Sequence, residues 1–172
     1  MHAKASERGR EAFLRRYELL FGNRFPGLAA ALEGPPDSLD YSERLIRPYR
    51  MDRASVLAAR FLPLPEEGRV LDACAAPGGK TLVLASRKAD LPGVALTANE
   101  LSAERRRRLK AVLTDHLPPD LAARVAVTGF DAAARAGRER DAWEAILLDA
   151  PCSSERHVLA SPAHMALWSK PG

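Results

Sequence analysis

The second half of the chain is an alternation. Four short strand-like segments, RVLDA (69–73), VALTAN (94–99), RVAVTGF (124–130) and EAILLDA (144–150), are separated by helix-like ones, TLVLASRK (81–88), SAERRRRLKAVLTDH (102–116) and a weaker run over 132–137. Strands that recur with helices between them return to the same sheet edge in one sense, so the rhythm predicts an α/β fold. The expected sheet is doubly wound and mostly parallel, with right-handed crossovers. In such a sheet ligands bind outside the carboxyl ends of the strands. The residues just beyond each strand therefore matter most.

The first strand runs into VLDACAAPGGKT (70–81), whose Gly79-Lys80-Thr81 imitates the end of a triphosphate loop. The spacing rejects that reading. A phosphate loop needs a glycine five residues before the second one, and that position is Cys74. Pro77 also removes one of the N–H donors that a phosphate nest requires. The dinucleotide fingerprint fails too, since Gly78 and Gly79 are adjacent. A strand, a small-residue turn (Cys74, Ala75, Ala76, Pro77, Gly78, Gly79, Lys80) and an apolar helix survive, with the ligand of the turn left open.

Each strand delivers an acid to the same rim: Asp72, Glu100, Asp131 and Asp149. Singly, such residues are ordinary helix caps or turn residues. As four in register they form a constellation above one crevice. Glu100 stands about twenty residues beyond the glycines, the spacing at which an acid accepts from ribose hydroxyls, and Asp131 is then placed for an adenine amine. DAPCSSERH (149–157) comes after the last strand, and Pro151 presents Cys152 at the mouth of the crevice, as a nucleophile or acid/base thiol. Cys74 reads as a small buried residue behind the glycine turn. Neither cysteine stands at zinc-ligand spacing from a histidine.

The N-terminal part is different in kind. Residues 8–32 read as helical, with Phe13, Tyr17, Leu20 and Phe21 on one stripe and an interruption at Pro26, and EGPPDS (33–38) reads as a linker. This divides the chain into a small helical segment with its linker, 1–38, and a main domain, 39–172. Asp52 is placed to cap a helix running to about Leu62. No run approaches the ~20 apolar residues of a membrane-spanning helix, and the first ten residues lack the apolar stretch of a secretion signal. With only two cysteines the chain is expected in a reduced, cytoplasmic setting and away from membranes. The net charge of +4 comes from 21 Arg and 5 Lys against 22 acids, a balance compatible with a nucleic-acid partner. Arg105 to Arg108 fan around a helix and cannot form one face, so most are expected in solvent. Arg44, Arg47, Arg50 and Arg53, three apart with Tyr49 among them, make the better RNA-facing stripe. The four strands leave one apolar sheet edge uncovered, and with the abrupt WSKPG ending this reads as a sheet cut short.

VLDACAAPGGKT, ANELSAERRRRL, VTGFDA and ILLDAPCSSERH, in this order and spacing, resemble the NOL/NOP/Sun family of RNA cytosine-5 methyltransferases over about residues 45–168. YRMDRASVLAARFL (49–62) resembles the helix that leads into that family's sheet. The resemblance implies a Rossmann-like class I methyltransferase fold, S-adenosylmethionine as cofactor, and an rRNA or tRNA substrate. It also implies that Cys74 through Lys80 wrap the methionine and ribose end of the cofactor. Glu100 would hold the ribose, Asp131 the adenine, and Asp149 would sit between cofactor and target base. Cys152 would be the Pro-Cys thiol, implicated in releasing the covalently held product. SSERH replaces the family's commoner S-G-T-G and is similar to the branch acting on organellar and some bacterial RNAs. The family's nucleophile is a second cysteine, in a Thr-Cys motif beyond the Pro-Cys motif, which attacks carbon 6 of cytosine so that carbon 5 takes the methyl. No cysteine follows Cys152 here. The expectation is a fragment of such an enzyme without its nucleophile segment, the alternative a catalytically inactive RNA-binding module that retains the cofactor pocket. A small-molecule or protein methyltransferase is the third reading, disfavoured because amine or carboxylate methylation needs no thiol.

Overall fold

A computed structural model of the chain describes residues 2–136, 139–151 and 155–168. The chain divides into two compact units, residues 37–151 and residues 1–36 with 152–172.

The larger unit contains the predicted alternation. It comprises β3 (Glu67–Asp72), α4 (Gly79–Arg87), β4 (Gly93–Asn99), α5 (Ala103–His116), the short α6 (Pro119–Ala122), β5 (Val125–Thr128), α7 (Ala132–Ala136) and β6 (Ala145–Leu147). The four strands form one parallel sheet in the order β5-β4-β3-β6. The chain thus steps outward from β3 through β4 to β5, then returns to the other side of β3. A reversal of this kind leaves a crevice at the carboxyl ends of the two strands that flank it, here β3 and β6.

Its core is built from the apolar residues that the period of each element selects. Val70, Leu82, Val83, Leu84, Leu96, Ala98 and Leu109 are 2% exposed or less. At ~25 cal/mol per Å² such burial is the main stabilising contribution. Lys88 is buried among them because its Nζ donates to two carbonyls, Val94 O at 2.8 Å and Arg124 O at 3.1 Å. Burial, with Arg124 nearby, pushes its pKa down. The apolar edge expected from the sequence is present: on β6 and just beyond it, Ile146 is 51% and Leu148 67% exposed.

The sequence reading missed the short α6 and a hairpin of this unit. β1 (Ser38–Tyr41) and β2 (Tyr49–Asp52) pair antiparallel, Ser38 opposite Asp52 and Tyr41 opposite Tyr49. SLDY and YRMD alternate apolar and polar residues, but at four residues each the signal is short. Asp52 precedes α3 (Arg53–Phe61) in extended conformation, yet its carboxylate makes no capping bond; its Oδ1 accepts from Ser38 Oγ at 3.4 Å across the hairpin.

The hairpin also changes the meaning of the arginine stripe. Arg44, Arg47, Arg50 and Arg53 are each paired with a carboxylate, of Asp90, Asp115, Asp40 and Asp37. They lie on a loop, a strand and the first turn of a helix, so spacing in threes does not make them one helical face. All four pairs are solvent-exposed and contribute little to stability.

The smaller unit is helical: α1 (His2–Phe21), α2 (Phe25–Glu33), α8 (Glu155–Ala160) and α9 (Pro162–Leu167). Phe13, fully buried, is its centre, packed with Val158 and Met165 and in edge contact with Trp168 at 5.4 Å. Pro26 lies in the first turn of α2, where its missing N–H costs nothing. Arg156 donates to the carbonyls of Ala31 and Gly34, satisfying the open end of that helix. No described helix is long and apolar enough to cross a membrane.

Candidate functional site

The turn after β3 is held from three sides. Ala73 N donates to Leu147 O at 2.9 Å and Ala75 N to Asn99 O at 2.8 Å, tying it to β6 and β4. The Ala76–Pro77 peptide is cis. Gly78 has φ +122°, where a side chain is strained, and a Cβ there would stand 3.0 Å from Val112 and 3.2 Å from Leu109 on α5. Gly79 is pressed from the opposite side, its nearest neighbours being Tyr49 and Met51 of β2, each 3.1 Å from a built Cβ. The turn is therefore small because it is clamped between the hairpin and α5. Gly78→Ala is expected to lower stability by roughly 1–3 kcal/mol, read as a fall in the thermal unfolding midpoint.

Two members of the arginine run are tied inward rather than to the solvent, one to this turn and one to the loop after β4. Arg105 donates to Ala76 O at 3.0 Å and stands 3.4 Å from Glu100, and Arg106 donates to Glu100 O at 2.7 Å. The expectation that most of the run is solvated holds for Arg107 and Arg108 alone. Short side chains in the turn leave a carbonyl that a long donor such as Arg105 reaches, while Arg106 closes the loop after β4.

A cavity of about 380 Å³ opens at the crevice. Of the residues singled out in the sequence it brings together Cys74, Ala75, Ala76, Pro77, Gly79, Lys80 and Asp149, with Asp72 also in the wall. The opposite wall is the hairpin and the start of α3, through Tyr49, Met51, Asp52 and Ser55. Gly78, Glu100 and Asp131 are not in the lining. Lys80 spans the mouth: its Nζ is 2.6 Å from Asp149 Oδ2 and donates to Ser55 Oγ at 3.0 Å.

The four strand-end acids differ sharply. Asp72 is 1% exposed; its Oδ2 accepts from Thr81 Oγ1 at 2.7 Å, and its Oδ1 has no hydrogen-bond partner among the described residues. Burial pushes its pKa up to about 6, against the lowering effects of the Thr81 bond and of Lys80. Glu100 is 4% exposed, with Oε1 accepting from Ser102 N at 3.0 Å and Oε2, 3.4 Å from the Arg105 guanidinium, accepting no hydrogen bond among the described residues. Asp131 caps α7, its Oδ1 accepting from Ala133 N at 2.9 Å and Ala134 N at 3.1 Å. Asp131 and Asp149 are both exposed, the Asp149 side chain at 58%.

Cys74 corrects the sequence reading. It is half-buried and part of the cavity wall, not hidden behind the glycines. Burial, then the Glu100 and Asp72 carboxylates, push its thiol pKa up, so it is a neutral thiol at neutral pH. Cys152 lies outside the described residues.

One organising residue was not singled out at all. Asn99, at the end of β4, is 1% exposed and makes four side-chain bonds: Nδ2 to Ala73 O and Phe130 O, Oδ1 from Thr128 Oγ1 and Phe130 N, all between 3.0 and 3.1 Å. It joins the turn after β3 to the ends of β4 and β5. An Asn at a strand end reads as turn chemistry, and nothing else in the sequence marks it.

Residues 59–165 match the family described as 16S rRNA methyltransferase RsmB/F. The 5-cytosine rRNA methyltransferase NSUN4 of Bos taurus is 42% identical over 113 residues, covering 64% of this chain and 29% of its own. Ribosomal RNA small subunit methyltransferase F of Klebsiella pneumoniae (strain 342) is 37% identical over 123 residues, 70% of this chain and 24% of its own. The chain thus spans less than a third of the length of these curated relatives. Among solved structures, the crystal structure of PH0851 superposes with a TM-score of 0.62 at 18% identity, over 92% of this chain and 45% of that one. At that identity the likeness speaks for the Rossmann-like fold alone.

Proposed function

The chain belongs to the RsmB/F family of rRNA methyltransferases, whose methyl donor is S-adenosylmethionine, and from that premise we propose that it forms the cofactor-binding part of an RNA cytosine-5 methyltransferase acting on rRNA or tRNA. One observation carries the reading: the turn Cys74–Lys80 faces the β1–β2 hairpin across a cavity at the reversal point of the sheet, with the Lys80–Asp149 pair at its mouth. A volume of about 380 Å³ lies within the range of small-molecule sites. The residues fit the cofactor, because a buried acceptor of the cavity wall, Asp72 Oδ1, has no hydrogen-bond partner among the described residues and a ligand rich in donors satisfies it.

In this reading the turn packs against the ligand with backbone and small side chains, including Ala75, Ala76 and Pro77. Glu100 accepts from the ribose hydroxyls. Asp131 has Oδ1 committed to α7 and offers Oδ2 to the exocyclic amine of adenine. When bound, the cofactor supplies an electrophilic methyl group. Lys80 fixes the Asp149 carboxylate at the mouth, where it separates cofactor from target base. Cys152, directly after Pro151 in the sequence, would act as the product-releasing thiol. The net charge of +4, carried mostly by Arg, is compatible with an RNA partner.

Isothermal titration tests the reading. S-adenosylmethionine and S-adenosylhomocysteine are expected to bind, and ATP is not. Asp131→Ala is expected to weaken both by roughly 0.5–1.5 kcal/mol, the net value of one hydrogen bond at an exposed residue. Tight ATP binding with no signal from either cofactor form would overturn it.

A further inference from the structure

We propose that Cys74 is a thiol–disulfide exchange site, at which a small cationic disulfide leaves an aminothiol in the cavity and shuts the cofactor out. The exchange stands on the cavity's own residues, whereas the exclusion rests on the cofactor reading above. Cys74 is a free thiol, half-buried, in the wall of a cavity of about 380 Å³. A cysteine in a wall commonly serves as a small packing residue, but that role leaves the space beside it unexplained. The same wall holds Asp72, 1% exposed, whose Oδ1 accepts no hydrogen bond among the described residues. A buried acceptor without a donor marks a space built for a ligand. A thiol in its wall meets whatever enters.

The charges around the thiol choose the reagent. Carboxylates act on it from three elements: Glu100 beyond β4, Asp72 at the end of β3 and Asp149 beyond β6. Arg105 of α5 opposes them and stands 3.4 Å from Glu100. Lys80 of α4 is committed to Asp149 and Ser55. The cavity is therefore locally negative, within a chain whose net charge is +4. Such a recess repels anionic disulfides and concentrates ammonium-bearing ones.

The exchange balances with the disulfide as its only co-reactant. The Cys74 thiol loses its proton to water, and the thiolate attacks one sulfur of the disulfide. The old S–S bond breaks and a new one joins Cys74 to one aminothiol. The other aminothiol leaves as a thiolate and takes up a proton, reduced as Cys74 is oxidised. Burial, then the Glu100 and Asp72 carboxylates, keep Cys74 protonated at neutral pH. The rate therefore follows the thiolate fraction and rises about tenfold per pH unit below the thiol's pKa. A cofactor in the cavity covers the thiol, and an aminothiol on Cys74 occupies the cofactor's space.

The test mixes the unmodified chain with cystamine or with dithiodipropionate, its dicarboxylate counterpart, and reads the products by mass spectrometry. Trypsin separates the two cysteines, since Cys74 falls in the peptide 70–80 and Cys152 in 141–156. Cysteamine is expected on peptide 70–80, about tenfold faster at pH 8 than at pH 7. At low salt cystamine should outpace dithiodipropionate there by about tenfold or more, and the ratio should collapse near about 1 M salt. Steering by the net positive charge of the whole chain would give the opposite order. Saturating S-adenosylhomocysteine should slow labelling of peptide 70–80 by roughly tenfold or more. The labelled chain should in turn lose at least about tenfold in affinity for S-adenosylhomocysteine by calorimetry, and recover it on reduction with dithiothreitol. Label confined to peptide 141–156, faster labelling by the dicarboxylate, or unchanged affinity in the labelled chain would overturn the proposal and leave the cofactor reading intact. Absence of S-adenosylhomocysteine binding by the unlabelled chain would remove both. No variant is needed, so a folding defect cannot mask the outcome.

Discussion

Asn99→Leu is expected to cost roughly 3–5 kcal/mol of folding stability, the largest loss of any substitution of similar volume in the sheet unit. Leucine fills the same space but offers no polar atom. It would strand the carbonyls of Ala73 and Phe130, the amide of Phe130 and the hydroxyl of Thr128, all of which meet Asn99 now. Each buried group so abandoned costs about 1–3 kcal/mol, less whatever the loops recover by moving toward water. The loss is a large fraction of the ~5–15 kcal/mol that holds an ordinary domain together. It should appear as a fall of roughly 6–20 °C in the thermal midpoint followed by circular dichroism. Cofactor affinity should fall as well, since the turn after β3 and the segment carrying Asp131 would lose their common anchor. Asn99→Asp separates the two effects: it keeps the acceptor for Thr128 and Phe130 N but sets a carboxylate oxygen against two carbonyls. A midpoint unchanged by Asn99→Leu would show that the strand ends hold their positions without the cross-link.

The legible and illegible parts of the sequence divide along physical lines. The sheet unit was readable because its strands are continuous apolar runs, each closed by an acid, and because only small residues separate Asp72 from α4. Both features are dictated locally, by burial on two faces and by the clearance of the turn from Val112 and Leu109. Partnership was not readable. Arg105 and Arg106 look identical to Arg107 and Arg108 in the sequence, yet Arg105 reaches a turn carbonyl supplied some thirty residues away and Arg106 the carbonyl of Glu100. The stripe from Arg44 to Arg53 looked like free charge until each member met its own aspartate. The β1–β2 hairpin escaped for a related reason: four-residue strands owe their conformation to pairing and to the wall they form, neither of which periodicity records. Among the four acids the sequence placed all on one rim, but their division of labour depends on depth, from Asp72 at 1% to Asp149 at 58% exposed.

The 172-residue chain is expected to transfer no tritiated methyl into unmodified RNA, even where it binds S-adenosylmethionine. Carbon 5 of cytosine becomes nucleophilic only after a thiolate adds at carbon 6, so the question is which thiolate is present. Cys74 is excluded by its electrostatics rather than by distance: it lines the cavity, but burial and the carboxylates of Glu100 and Asp72 keep its proton on. Cys152 remains, and in the family that this chain resembles the Pro-Cys thiol serves product release, while a Thr-Cys thiol makes the attack. The assay compares the chain with the same chain extended by a family C-terminal segment that carries the Thr-Cys motif, and both are first titrated with S-adenosylhomocysteine to show an intact cofactor site. Incorporation is expected from the extended chain alone, and the attack step should be lost there on replacing the Thr-Cys cysteine by alanine. In the extended chain Cys152→Ala should leave the enzyme attached to RNA, visible as a denaturation-resistant complex on a gel, because attack proceeds and release does not. Methyl transfer by the short chain that disappears in Cys152→Ala would instead make Cys152 the nucleophile, and the division of labour between the two thiols would not apply to this protein.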